Sequence, residues 1–295
     1  MRKLIIRILA IFGVSILLLG GALAYSYFIE PKRLIVDRHT LRVPNFDSKL
    51  NGLKIVAISD IHGGSNNVTP ERLRELVTTA NAQNPDLIVL LGDYISETKF
   101  DRKAALSLPE GTDRSEIRMP VETIAENLEG FQAKYGTYAV IGNHDWWYNQ
   151  QKIRKEFSRV GIRFLENEIQ SIRIGDETLN VWGIEDYWKN RRVPTAESFD
   201  RLAQKTNVIA ITHNPDSLLK TPAGISLMIA GHSHGGQVSF PFYGPIPFVN
   251  DERFMADETV VDGKHVFVTT GVGCTGPQIR FGVPPEIAVL IVEAQ

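Results

Sequence analysis

Hydrophobic and polar positions alternate along the chain in three ways. The first is an unbroken apolar run: from Ile8 to Ile29 no residue carries a formal charge, and at helical rise these residues reach about 33 Å, against a hydrocarbon core of about 30 Å. The second is a series of short continuous apolar runs, the mark of strands buried on both faces: Leu53 to Ser59, Leu87 to Leu91, Tyr138 to Ile141, Val208 to Thr212 and Leu227 to Ala230. The third is helical spacing between them. Thr69 is placed to cap a helix that opens on Pro70 and runs to Ala82 with Leu73, Leu76 and Val77 on one face, and another helix is predicted over Gln151 to Val160. Ser171 to Ile174 and Thr178 to Trp182 flank Gly175-Asp176-Glu177 and predict a hairpin. His265 to Thr269 and Ile287 to Val292 predict a final group of pairing strands, and the charged stretch Glu97 to Arg118 predicts a surface loop. Together these elements predict an α/β protein of two packed sheets with helices outside, parallel first and more antiparallel late.

The apolar run is preceded by Arg2, Lys3 and Arg7, carries Tyr25, Tyr27 and Phe28 where an interfacial aromatic belt would lie, and ends at Glu30-Pro31. It reads as a single-pass anchor in the cell membrane. The competing reading is a cleaved signal peptide, because Ala22-Leu23-Ala24 has the small-x-small form of a cleavage site, but the apolar run continues past it. The leading cations place the N-terminus inside and the rest of the chain outside, although Lys32, Arg33, Arg38 and Arg42 blunt the contrast. The predicted division is an anchor at 1–30, a polar tether at 31–52 with one strand, Arg38 to Val43, and a main domain at 53–295.

Composition narrows this picture. At 43% hydrophobic and 22% charged the chain matches a soluble globular domain behind its one apolar run, which excludes a disordered chain and a polytopic membrane protein. With 32 Lys and Arg against 34 Asp and Glu there is no global basic field, so no nucleic-acid partner is expected. The single Cys274 can form no internal disulfide and assigns no compartment.

Candidate chemistry gathers where the predicted strands stop. Asp60-Ile61-His62 follows the first, Gly92-Asp93 the second, Gly142-Asn143-His144-Asp145 the third, His213 the fourth and Gly231-His232-Ser233-His234 the fifth. Ligands of open α/β sheets bind beyond the carboxyl ends of the strands, so five strand ends converge on one place. Five of the seven histidines stand in these motifs; His39 and His265 do not. Imidazole with carboxylate and amide oxygen is the donor set of Zn, Mn or Fe. Taken singly, each motif is weak: a lone Gly-Asp is more often a turn and a lone His more often structural.

In this order, D-x-H, G-D, G-N-H-D, H and G-H-x-H, the motifs resemble the calcineurin-like metallophosphoesterase family over roughly residues 53–292. Gly235-Gly236-Gln237 and Arg280 to Ile287 are similar to its membrane-associated bacterial branch. The resemblance implies an αββα sandwich of two mixed sheets with outer helices. It implies two divalent metal ions, Mn, Fe or Zn, with Asp60, His62 and His234 on one, Asn143, His213 and His232 on the other, and Asp93 bridging. A metal-bound hydroxide would then attack phosphorus, while His144 would protonate or stabilise the leaving oxygen and Asp145 would orient His144. The implied activity is hydrolysis of a phosphodiester or pyrophosphate, within the branch either a broader phosphodiesterase or a UDP-2,3-diacylglucosamine pyrophosphatase of lipid A biosynthesis. The alternatives are a broad-specificity phosphatase or nuclease, and a non-catalytic membrane-tethered metal-binding module, which would require a lost ligand or a lost His144.

Aromatics crowd these motifs: Trp146, Trp147 and Tyr148, then Tyr187 and Trp188, then Phe240 to Phe248. They are expected either to fill core gaps or to line an apolar groove for a lipid-linked substrate or touch the membrane surface. Arg191, Arg192 and Arg280 are candidates to meet a second phosphate.

Overall fold

The computed structural model describes residues 2–99, 107–185, 202, 205–247, 249 and 251–295. Tyr187, Trp188, Arg191, Arg192, Phe248 and part of the charged stretch after Glu97 lie outside these residues. The strands are β1 (Ile35–Val43), β2 (Leu53–Ile58), β3 (Leu87–Leu90), β4 (Glu97–Lys99), β5 (Glu116–Ile117), β6 (Thr137–Ala139), β7 (Arg163–Phe164) and β8 (Glu168–Ile174) in the first part of the chain. Then follow β9 (Glu177–Gly183), β10 (Val208–Ile211), β11 (Leu227–Ala230), β12 (Ser239–Phe240), β13 (Gly244–Pro245), β14 (Asp257–Val261), β15 (Lys264–Val268) and β16 (Glu286–Ala294). The α-helices among the described residues are α1 (Arg2–Phe28), α2 (Pro70–Asn81), α3 (Val121–Asn127), α4 (Asn143–Tyr148) and α5 (Gln150–Arg159).

Two six-stranded mixed sheets pack face to face, with orders β1-β16-β2-β3-β6-β7 and β14-β15-β11-β10-β9-β8. The continuous apolar runs account for this layering, since alternate residues of one strand serve two layers. Ile55 and Ala57 of β2 join Val89, Ile209, Ile211, Ile229 and Phe267 in the core between the sheets. Val56 and Ile58 face the other way, onto Leu73 and Leu76 of α2, Ile124 of α3 and Phe157 of α5. Thr69 caps α2 as expected, its side chain accepting from Arg72 N. The outer face of the second sheet packs Trp182, Met228 and Val266 against Leu218 and Phe254 from two short 3-10 helices.

Some expectations change. The strands at the end of the chain do not pair with each other: β15 lies between β11 and β14 in the second sheet, whereas β16 lies between β1 and β2 in the first. Apolar runs establish that both are strands; the chain segment from Thr269 to Pro285, which crosses between sheets, decides where each goes. The strand predicted at Arg38 to Val43 begins earlier, at Ile35, and pairs in parallel with β16 over its whole length, burying Leu41 and Val43 in the central core. The charged stretch after Glu97 contains the ribbon β4–β5, and α3 is an element that the sequence pattern does not predict.

Candidate metal centre

Each sequence-predicted site residue follows a strand of one of the two sheets. Asp60 and His62 follow β2, Asp93 follows β3, Asn143 and His144 open α4 after β6, His213 follows β10, and His232 and His234 follow β11. The turns that carry them are hydrogen-bonded to one another: Asp60 N to Gly92 O at 3.0 Å, His62 N to Asp93 O at 2.9 Å, and Gly231 N to His213 O at 3.0 Å. Asp60, His62, Asp93, His232 and His234 all have positive φ, between 46° and 70°. That backbone region costs a non-glycine residue about 1–3 kcal/mol, and it persists only where the surroundings over-determine it. Here the packing leaves no slack: a Cβ at Gly142 would collide with the Asp93 carboxylate, and one at Gly231 with Ser59.

The seven predicted ligands form one cluster, buried except for the half-buried His232. His234 Nε2 is 3.3 Å from both Asp60 Oδ1 and His62 Nε2. His213 Nε2 is 3.0 Å from Asn143 Oδ1, 3.2 Å from Asp93 Oδ2 and 3.0 Å from His232 Nδ1. Asp93 Oδ2 stands between the two groups, 3.8 Å from His62 Nε2. Donors arranged around one ion at about 2.1 Å are separated from each other by about 3.0–3.4 Å in octahedral or tetrahedral geometry, so this spacing fits a metal. Asp60, His62 and His234 form one set whose ligand atoms all lie within 4.8 Å, and Asp93, His213 and His232 form another.

The hydrogen bonds around the rings point the same way. His62 Nδ1 lies 2.9 Å from Ile95 O and His213 Nδ1 2.8 Å from Leu91 O; a carbonyl can only accept, so each ring donates there and turns its Nε2 inward. His213 Nε2 thus faces the Asn143 carbonyl and the Asp93 carboxylate, which converge on one point. Asp60 Oδ1 is buried with no hydrogen-bond partner. Burial pushes His62 and His232 down to about 3, and pushes His234 well below its ordinary value. All three stay neutral, as ligands must. Burial would raise the Asp93 carboxyl, but His213 and His144 hold it well below the usual carboxylate range.

His144 has a different environment from the other site histidines. Burial would lower it, yet the Asp93 carboxylate and a hydrogen bond to Glu97 raise it to about 9. Its Nδ1 is 2.6 Å from Glu97 Oε2, and its Nε2 lies 4.0 Å from Asp93 Oδ2 and 3.4 Å from Thr275 Oγ1. The expected partner, Asp145, does not touch it. Asp145 Oδ2 accepts from Asp93 N at 2.8 Å and Gly142 N at 3.0 Å, and Oδ1 from Tyr94 N at 2.8 Å. At the third position of α4 the Asp145 carboxylate folds back over the helix N-terminus, which points it away from the neighbouring imidazole. Asp145 therefore shapes the Gly92-Asp93 turn, and the carboxylate that meets His144 is Glu97, on β4, a contact that sequence reasoning missed. The aromatics divide as well: Trp146 packs on the core with Arg114 over its ring, while Trp147 sits 5.0 Å from the His144 ring. Arg280 is fully buried and spends its donors on the carbonyls of Thr270, Gly273, Val283 and Pro284, so it does not reach a phosphate.

Comparison with known proteins agrees with this geometry. Residues 53–236 match the calcineurin-like phosphoesterase family. The metallophosphoesterase YkuE of Bacillus subtilis is 28% identical over 280 residues, 93% of this chain and 91% of its own length. Phosphodiesterase YaeI of Escherichia coli is 28% identical over 276 residues, 92% of this chain and 93% of its own. A transmembrane protein with a metallophosphoesterase domain from Danio rerio is 26% identical, over 89% of this chain and 57% of its own. With the matched segment holding all five motifs and spanning most of the chain, the protein belongs to the calcineurin-like phosphoesterase family, dimetal-dependent hydrolases of phosphoric esters.

Proposed function

We propose that Asp60, His62, His234, Asn143, His213 and His232 hold two divalent cations, Mn, Fe or Zn, bridged by Asp93, and that the protein hydrolyses a phosphodiester or pyrophosphate whose substrate is lipid-linked. The observation that carries this reading is the convergence of seven donors at ligand spacing about the Asp93 carboxylate. When bound, the cations would offset charge on the phosphoryl oxygens and lower the pKa of a nucleophilic water. The chain's own residues supply the rest. Glu97 accepts at His144 Nδ1 and so keeps the second proton on Nε2, the atom that faces the cluster and can pass a proton to the leaving oxygen. Asp145, through the backbone of Gly92-Asp93 and Gly142, keeps the bridging carboxylate and Asn143 in register.

The membrane part of the reading rests on α1, one helix long and apolar enough to span a bilayer. We take residues 1–30 as an uncleaved anchor with the catalytic domain outside, and residues 53–295 as the catalytic domain, joined through 31–52 whose strand β1 completes the first sheet. An anchor raises the domain's concentration at the lipid surface, which favours an amphiphilic substrate such as UDP-2,3-diacylglucosamine over a freely diffusing one. The test is turnover by the full-length protein in detergent with Mn, Fe or Zn, on UDP-2,3-diacylglucosamine, a glycerophosphodiester lipid, bis-p-nitrophenyl phosphate and p-nitrophenyl phosphate. Preference for a lipid-linked diester or pyrophosphate supports the reading; preference for the soluble monoester contradicts it.

A further inference from the structure

The metal centre and the end of α1 are joined by a short exposed hairpin. It grows directly out of the His234–Gly236 turn, is held to Phe281 by Ser239 N donating to Phe281 O at 2.8 Å, and consists of β12 and β13 around Pro241-Phe242-Tyr243. Its apolar side chains are not packed away. Phe242 is 105% exposed and Tyr243 92%, with Phe240 and Ile246 about half exposed. Phe242 adopts φ of 73°, a position where glycine or asparagine would be less strained. A bulky aromatic there gains nothing in water, so its environment is elsewhere.

Three observations identify that environment as a bilayer. The last turns of α1 are fixed to the domain: Ser26 O accepts from Arg280 N at 3.0 Å, Tyr27 O from Asn66 Nδ2 at 2.8 Å, and the buried Glu30 Oε2 from Gly282 N at 2.9 Å. A row of rings then connects helix to hairpin, Tyr25 to Phe281 at 6.3 Å and Phe281 to Phe240 at 6.1 Å. Tyr25 lies four residues before the end of the apolar run, about 6 Å inside it, so Phe240 shares the level of an interfacial aromatic belt. Between the two is a cleft of about 530 Å³ lined by Tyr25, Arg33, Phe240, Pro241 and Phe281. Arg33, which lines it, donates to the Tyr25 hydroxyl at 2.8 Å, and both Arg33 and the preceding Lys32 are exposed, cations placed for anionic phospholipid head groups.

We propose that the hairpin Ser239–Ile246 is a second membrane contact, which seats Phe242 and Tyr243 in the interface of the bilayer spanned by α1 and turns the metal centre toward that surface. This rests on the reading of α1 as a membrane span. The test uses the full-length protein in mixed phosphatidylcholine and phosphatidylglycerol vesicles with a nitroxide attached at Phe242→Cys, at Leu17→Cys within α1, or at Asp176→Cys. Asp176 precedes β9, which runs parallel to β10, and so lies at the sheet edge away from the metal centre. The native Cys274 is buried and does not compete for label, and hydrolysis of bis-p-nitrophenyl phosphate verifies that each labelled protein is folded. The ratio of oxygen to nickel-chelate accessibility at residue 242 is expected to exceed that at residue 176 by at least about threefold, approaching residue 17. A ratio at 242 equal to that at 176, with residue 17 in lipid, overturns the hairpin contact alone; residue 17 in water overturns the membrane reading beneath it.

Discussion

The metal centre and the hairpin beside it are a few residues apart in sequence and opposite in construction. At the centre the turns are tied to one another by hydrogen bonds, five residues are held at positive φ, and an added methyl at Gly142 or Gly231 finds no room. At the hairpin, bulky apolar side chains stand in the open on a strand pair only two residues long. The first arrangement tolerates no change because its geometry is the chemistry; the second tolerates change within the protein and is constrained only by what it touches. On the proposed reading, catalytic power and substrate choice are carried by separate parts, which can be broken separately.

The largest effect is expected from the centre. Stripping metals with a chelator should lower turnover of every substrate by at least ~10³-fold, with Mn restoring it. His144→Ala should keep the metals and cost about 10²–10⁴-fold on a diester with a poor leaving group, but much less on bis-p-nitrophenyl phosphate, whose leaving oxygen needs no proton. Equal losses on both would remove the acid role. Glu97→Gln should reproduce the same leaving-group pattern with a loss of about 10–100-fold. Asp145→Asn should differ in kind: it weakens buried hydrogen bonds to the Gly92-Asp93 turn, so thermal unfolding should show about 1–3 kcal/mol of lost stability whatever the substrate.

Away from both regions, a chain starting at Leu53 loses β1 and with it the burial of Leu41 and Val43, about 1.5–3 kcal/mol each, and exposes the edge of β16. It should unfold at lower temperature than a chain starting at Glu30; equal melting would make 31–52 a mere tether. The smallest effect belongs to the hairpin. Phe242→Ser with Tyr243→Ser should raise KM for a lipid-linked pyrophosphate several-fold and leave bis-p-nitrophenyl phosphate unchanged, because a soluble diester needs no interface. A parallel change in both would make the hairpin structural.

How much of this was legible in the sequence follows from what each residue must do. The five motifs could be read because each follows its own short apolar strand, and sheets place successive strand ends together. Glu97 could not: it sits in a charged stretch, its partner His144 is 47 residues on, and only the β4–β5 ribbon brings them to hydrogen-bond distance. The one available signal was an acid four residues after Asp93 in a segment otherwise leading away from the site. Asp145 was misassigned for the converse reason, since adjacency in sequence suggested a contact that helical geometry forbids. Likewise, periodicity identified β15 and β16 as strands but says nothing of which sheet receives each. The seven-residue α3, begun after Pro120 and held by Val121, Ile124 and Ala125, is too short to leave a helical period.

The most direct test of the account is metal analysis of the purified full-length protein and of Asp93→Ala, each reconstituted with Mn and freed of unbound ion. A site bridged by Asp93 should hold close to two ions per chain in the wild type and lose both in the variant, since each donor set is then short of a shared carboxylate. One ion in the fully active wild type, or two retained without Asp93, would contradict a dinuclear centre built on that residue.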